Sequence, residues 1–349
     1  MARIAAFTSF SFSYMTRAQI LLSSLRAAHP DWDICACIVD VAPADIDAAA
    51  ALAGFDRVVF ADTLPIPRFR AWIFKHDLVE ACTAVKAHML QHLLAAGYAQ
   101  VFYFDPDIAV FHSLDALVEQ LERASILLTP HQVAPSPSYA AFRDNELTSL
   151  KYGVFNLGFI GVRNSPVGVA FANWWAALLL EACYDDPDSG IFTDQRYIDL
   201  APALFDEVTV LRDPGCNVAS WNLANRVLAI NALGGITVNN IPLKFYHFTK
   251  INGIGDVMTE KYAGDNAAVW EIWTWYKRAL AGGDGLGIPK SYWSYATFSD
   301  GAPIGKPARI LFRNRNDLIA HFEDPFNARA DGFACWLRNQ RPELLVTDI

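Results

Sequence analysis

Short apolar runs and helix-spaced apolar positions take turns along the chain. Residues 4–9 and 32–39 read as strands, and between them residues 16–28 place Ile20, Leu21, Leu25 and Ala28 on one helix face. The Ala-rich stretch 42–53, with Pro43 near its start, predicts a short helix, and 56–60 a third strand. Pro65 and Pro67 mark a loop. Residues 77–96 form a long amphipathic pattern that stops at Gly97. Residues 101–104 are apolar throughout, as a parallel strand covered on both faces requires. Strand and helix alternating in this way predict a doubly wound α/β sheet.

Beyond Asp107 the pattern loosens. Residues 126–129, 155–162, 208–211 and 244–248 read as strands, 166–181 as a helix, and Thr193 as the start of another helix running to Leu200. From about Gly264 the texture changes to a Trp-rich helix over 270–281, then a link with Gly282, Gly283, Gly285 and Gly287, then a last helix near 333–338. The expected organisation is a main domain over 1–263 with an aromatic-rich extension, 264–349, packed on it.

Composition changes this picture in four places. With 53% hydrophobic and 19% charged residues, the chain has ample core material and is not a disordered one. The mean hydropathy of +0.18 is high, yet no apolar stretch reaches the roughly 20 residues of a spanning helix. Without a signal-peptide pattern, the expectation is a cytoplasmic protein, with peripheral contact at the inner face of a membrane left open. The formal charge of −9 argues against nucleic acid as a partner, because phosphate backbones need concentrated Lys and Arg. Six cysteines show no zinc spacing and read as reduced, buried thiols.

The sharpest chemical signal is Asp105-Pro106-Asp107, directly after the apolar strand. Ligands of open parallel sheets bind beyond the carboxyl ends of strands, and two acids there are costly unless a cation sits between them. Mg²⁺ or Mn²⁺ completed by phosphate oxygens meets that cost; a simple turn or helix cap is the plain alternative. His247, among aromatics at the end of another strand, is either a satisfied core histidine or a third ligand, and imidazole favours Mn²⁺. Lys250 nearby would reach a diphosphate or remain a solvated surface lysine. Thr193-Asp194-Gln195-Arg196 reads partly as a helix cap, which leaves Gln195 and Arg196 unexplained. On the acceptor side, His131 is a weak candidate beside a loop role, and Trp221 and Asn222 stand just after Asn217. Trp174, Trp175, Trp270, Trp273 and Trp275 read as core before sugar platforms. Asp185, Asp186 and Asp188 read as a solvated turn before a second metal site.

These segments in order resemble the GT-A-fold glycosyltransferases with a DxD motif. The chain is similar to the retaining glycogenin-like and lipopolysaccharide galactosyltransferase-like enzymes of glycosyltransferase family 8. It is closer still to a group of uncharacterised bacterial glycosyltransferases. The resemblance runs over about residues 1–260 through Cys82–Lys86, the DPDI strand end, Tyr152–Phe159, Asp213-Pro214-Gly215-Cys216-Asn217 and Phe245-Tyr246-His247-Phe248, and continues to Phe322–Phe326. It implies a GT-A catalytic domain over 1–263, a mixed sheet flanked by helices in which 1–107 would bind the nucleotide and 108–263 the sugar and acceptor, with Asp105, Asp107 and His247 on Mn²⁺ or Mg²⁺. It places Tyr14 on the nucleotide base, Thr8 and Ser9 near base and ribose, and Lys86 on the nucleotide sugar. Asn156 and Gly158 would line the donor sugar, Asp194 and Gln195 would face the reacting carbon, and Lys250 corresponds loosely to a diphosphate lysine. Family-8 enzymes often continue G-x-x-K-P-W after the histidine, where this chain has Phe248-Thr249-Lys250-Ile251-Asn252-Gly253.

The implied activity is metal-dependent transfer of a sugar from a nucleotide-diphosphate donor to a hydroxyl acceptor, with retention. The implied acceptor is a bacterial surface polysaccharide, a lipopolysaccharide core or another lipid-linked glycan. Oligomeric state is not readable. A sugar nucleotidyltransferase is the competing enzyme reading, but the loop Phe10-Ser11-Phe12-Ser13-Tyr14 lacks the Gly and Lys such enzymes carry after their first strand. A non-catalytic carbohydrate-binding protein on a transferase fold is the reading from another class; the intact Asp105, Asp107, Asn156, Asp194, Gln195 and His247 argue against it.

Overall fold

The computed structural model describes residues 3–283 and 287–345; the middle of the glycine-rich link, with Gly285, lies outside the described residues. The strands among them are β1 Ile4–Phe10, β2 Asp33–Ile38, β3 Arg57–Phe60, β4 Gln100–Phe104, β5 Ile108–Val110, β6 Ile126–Pro130, β7 Phe155–Arg163, β8 Asp185–Asp186, β9 Ile191–Phe192, β10 Val208–Val210, β11 Val218–Ala219, β12 Leu228–Ile230, β13 Ile236–Val238, β14 Ile241–Pro242 and β15 Phe245–His247. Seven form one sheet in the order β10-β6-β7-β4-β1-β2-β3, and a smaller sheet runs β11-β15-β5. The large sheet is mixed. β1 is parallel to β2 and β4, while β7 lies antiparallel between β4 and β6. So the apolar strand before Asp105 has a parallel neighbour on one side and an antiparallel one on the other. The mixed sheet flanked by helices that the resemblance implies is present.

Alternation along the strands fills both faces. Phe102, Phe104 and Phe159 join Leu21, Leu25 and Leu117 in one core, and Val101, Tyr103 and Ile160 join Leu90, Phe171 and Trp175 in another. Trp175 and Trp273 are buried, in keeping with a core role, whereas Trp275 is exposed. Residues from the far end of the chain share the second core: Phe298, Phe312, Phe326 and Phe333 surround the ring of Phe74 at centroid distances of 5.0–6.1 Å.

Three helix expectations need correction. Only Ala48–Ala51 is helical within 42–53, starting where Asp47 accepts bonds from Ala49 N and Ala50 N. The pattern over 77–96 breaks into Leu78–Ala84 and Lys86–Ala95. Thr83 Oγ1 bonds back to the carbonyls of Val79 and Glu80, competing with the helix just before the break. Thr193 cannot start a helix, since its φ is +46°; a 3₁₀ turn begins at Arg196 instead. Among the described residues no helix is long and apolar enough to cross a membrane.

Candidate metal and donor site

The site forms where β4 ends. Asp105 N donates to Gly158 O on β7 at 2.8 Å, and Ile108 N closes a turn onto Asp105 O at 3.0 Å. This turn sends the chain into β5, whose antiparallel partner β15 pairs His247 with Ile108. The register sets His247 beside Asp107, with Nε2 3.0 Å from Asp107 Oδ1 and 3.7 Å from Asp105 Oδ2. One ligand atom from each of Asp105, Asp107 and His247 lies within 4.8 Å of the others.

His247 is held from behind. Its Nδ1 is 3.2 Å from Asn156 Oδ1, so with Nδ1–H donating, Nε2 is free to face the carboxylates. Asn156 Oδ1 also accepts from Gly158 N at 3.2 Å and Asn217 Nδ2 at 3.0 Å. A Cβ on Gly158 would stand 2.5 Å from His247 Cε1, so this glycine makes room for the ring. Burial works against a charged His247, but Asp107 and Asp105 outweigh it and raise its pKa. Burial likewise works to raise Asp107, and His247 overcomes it and holds the carboxyl low.

Lys86 is the second centre. It is only 2% exposed, yet its ammonium lies 3.1 Å from Asp105 Oδ1 and 3.0 Å from Asp194 Oδ2. It also donates to Leu157 O at 2.9 Å and sits 4.4 Å from the Tyr103 ring centroid. Burial would lower its pKa; the two carboxylates outweigh that and raise it. Asp194 is raised, first by burial, with Lys86 opposing. Tyr103 donates to Asp105 Oδ1 at 2.5 Å, and Ser9 hydrogen-bonds Tyr103 at 3.2 Å and Cys82 O at 2.7 Å.

Both ends of the Gln195 amide are held: Oε1 accepts from Leu157 N (3.1 Å) and Asn156 Nδ2 (3.3 Å), and Nε2 donates to Tyr152 O (2.9 Å). His131 bridges to the same network. Desolvation pushes its imidazole down to about 4, which leaves Nε2 able to accept from Asn156 Nδ2 at 3.4 Å. Its ring packs edge-on to Trp221, which in turn packs edge-on to His247. Asn222 donates to the carbonyls of Asn217 and His131. Thr8 is buried with a hydroxyl that has no partner, and Tyr14 carries Arg17 4.6 Å over its ring. Lys250 lies exposed on the turn after β15 with φ +50°, outside the hydrogen-bonded cluster.

Thus Asp105, Asp107, His247, Lys86, Asp194, Asn156, Gly158, Gln195, Asn217, His131 and Trp221 converge on one edge of the sheet. Sequence reasoning missed Tyr103 as a donor to Asp105; strand alternation, which turns it to the face opposite Phe102 and Phe104, was the available signal. It also missed the bond between Asn156 and His247, 91 residues apart, for which no local signal exists. The cluster fits a hard divalent cation. With His247 neutral, three carboxylates against one ammonium leave two negative charges, and two carboxylates with one imidazole are an acceptable donor set.

No protein-family model matches the chain. Two curated relatives from Bacillus subtilis (strain 168) do, both described as uncharacterised. YfnF is 29% identical over 50% of this chain and 57% of its own length, and YfnD 29% identical over 49% and 53%. The match therefore spans only about half the length of either relative. Several glycosyltransferases are among the solved structures that match. The galactosyltransferase LgtC, in complex with donor and acceptor sugar analogues, is 16% identical, with 80% of this chain and 95% of that chain covered and a TM-score of 0.46. Mouse xyloside xylosyltransferase 1 in its apo form is 14% identical over 72% and 98%, with a TM-score of 0.41.

Proposed function

We propose that this protein is a metal-dependent glycosyltransferase that moves a sugar from a nucleotide-diphosphate donor to a hydroxyl acceptor with retention. The observation that carries the reading is the juxtaposition of Asp105, Asp107 and His247 with the Lys86–Asp194 pair at the carboxyl end of β4. A divalent cation on the first three would supply positive charge to the departing diphosphate. In the transfer, the bond from the sugar's anomeric carbon to the diphosphate oxygen breaks, and its electron pair leaves with the diphosphate. The acceptor oxygen bonds to the same carbon, and its proton passes to the leaving group. Lys86 is assigned to the donor side, where its buried ammonium orients Asp194. Asp194 stabilises positive charge developing on the sugar. Gln195 positions Asn156 and Leu157 around it. Thr8, Ser9 and Tyr14 border the nucleotide, and His131, Asn217, Trp221 and Asn222 the acceptor. Residues 264–349 are assigned to an extension of this unit, and the acceptor to a surface or lipid-linked glycan made at the inner face of the membrane.

The test is a panel of nucleotide sugars with Mn²⁺ or Mg²⁺ and a small set of glycan acceptors, with nucleoside diphosphate release as the readout. Turnover lost on removing the cation and in Asp107→Ala supports the reading. A folded protein that neither binds nor turns over any donor overturns it. The anomeric configuration of the product, read by NMR, decides retention.

A further inference from the structure

A cavity of about 500 Å³ opens beside the first turn of the helix Met15–Ala28, and its wall is cationic. Arg17 comes from that helix, Lys277 from the helix Ala267–Gly282, and Lys290 from beyond the glycine-rich link; Ser13, Thr16 and Asn252 add polar atoms. Three cations around one cavity oppose the overall charge of −9. Lys277 is tied to Asp256 at 2.7 Å, whereas Arg17 has no carboxylate partner among the described residues; its guanidinium rests on the Tyr14 ring.

The cavity also has a fixed relation to the metal cluster. Asn252 follows His247 by five residues on the turn that leaves β15. Phe248 N donates to Asp107 O at 2.8 Å, and the Phe248 ring stacks on Tyr276 at 3.9 Å and 3°. Lys277 is the next residue. The stacked pair thus pins the helix that carries Lys277 to the turn that carries Asp107.

Resting on the donor reading above, we infer that Arg17 and Lys277 bind the diphosphate of the nucleotide donor in this cavity, so the C-terminal part of the chain completes the donor site. The volume lies within the range of small-ligand pockets. A guanidinium offers the diphosphate two parallel N–H donors, and an ammonium offers a compact charge. The exposed Lys250 is then not the group that holds the diphosphate.

The experiment measures binding of UDP, GDP, ADP and CDP to the full chain by calorimetry with Mn²⁺. Arg17→Gln and Lys277→Met are each compared with wild type and with Lys250→Met. The expected result is affinity for the preferred diphosphate weakened about tenfold or more in each of the first two. Lys250→Met should bind as wild type does. Arg17→Lys should recover part of the loss, which a merely structural role would not produce. Melting curves guard against unfolding of Lys277→Met, and Arg17→Gln stands alone if that variant fails to fold. Wild-type affinity in Arg17→Gln, with binding still lost in Asp107→Ala, overturns this inference and leaves the donor reading intact. No diphosphate bound by the wild type overturns both.

Discussion

At the scale of single residues, the site depends on buried groups holding one another in a fixed protonation state. Asn156 is the hinge of that arrangement, because its Oδ1 receives His247, Gly158 and Asn217 while its Nδ2 reaches Gln195 and His131. Removing it frees the His247 ring to rotate or to move its proton to Nε2, where a cation would need a lone pair. Outer-shell partners of this kind contribute about 10–100-fold to metal affinity. Asn156→Ala is therefore expected to weaken Mn²⁺ binding by about that factor, measured by electron paramagnetic resonance titration. Asn156→Asp keeps the acceptor and should bind more nearly as wild type does. Unchanged affinity in Asn156→Ala would show that His247 is oriented by β5 and β15 alone.

At the scale of elements, the strands before the site were legible and the way they pair was not. The uniform apolar run before Asp105 marks a buried strand from sequence alone, and the two carboxylates at its end mark a ligand edge. Nothing in that run tells that β7 would return antiparallel beside it and deliver Gly158 opposite His247. The helix Phe69–Phe74 was hidden for a different reason: two prolines just before it dominate the local pattern, and six residues show too little periodicity. Thr193 looked like a cap because capping chemistry is local, whereas in the fold it leaves the short β8–β9 hairpin with a positive φ and its N–H bonded to Tyr184 O at 2.8 Å. The pairing of β4 with β7 leads to a comparison of two glycines on one strand. A Cβ at Gly158 would meet His247 at 2.5 Å; one at Gly161 would meet Phe102 at 3.0 Å. Both Gly158→Ala and Gly161→Ala are expected to lower stability, by about 1–3 kcal/mol for an overpacked core. Only Gly158→Ala should also abolish cation binding. Loss of binding in both would mean the strand, not the glycine, is what the site needs.

At the scale of the whole molecule, the far end of the chain closes over the start of it. Ser294 accepts the amide of Val41 at 3.1 Å, Tyr292 donates to Val41 O at 2.7 Å, and Arg309 donates to the carbonyls of Phe74, His76 and Tyr295. Asp40 lies beneath this cover, 3% exposed. One carboxylate oxygen accepts Phe12 N at 3.0 Å, and the other is buried without a partner. Burial pushes its carboxyl up to about 7 from 3.8. Between those two values the native chain keeps a proton that the unfolded chain has released. Its contribution to stability is therefore largest below pH 3.8, falls as pH rises through the window, and is flat above about 7. The shift corresponds to at most about 4 kcal/mol. His76 and His88, pushed by burial down to about 3 and about 4, act in the opposite sense over the same range, because unfolding lets them take up protons. The wild-type curve alone mixes these effects, so the informative quantity is a difference. Asp40→Asn keeps the acceptor for Phe12 and cannot ionise. Its stability relative to wild type, from urea titrations at several pH values, should grow as pH rises from 4 to 7 and level off beyond. A pH-independent difference would mean that Asp40 stays ionised beneath its cover, and that water or a cation reaches it there.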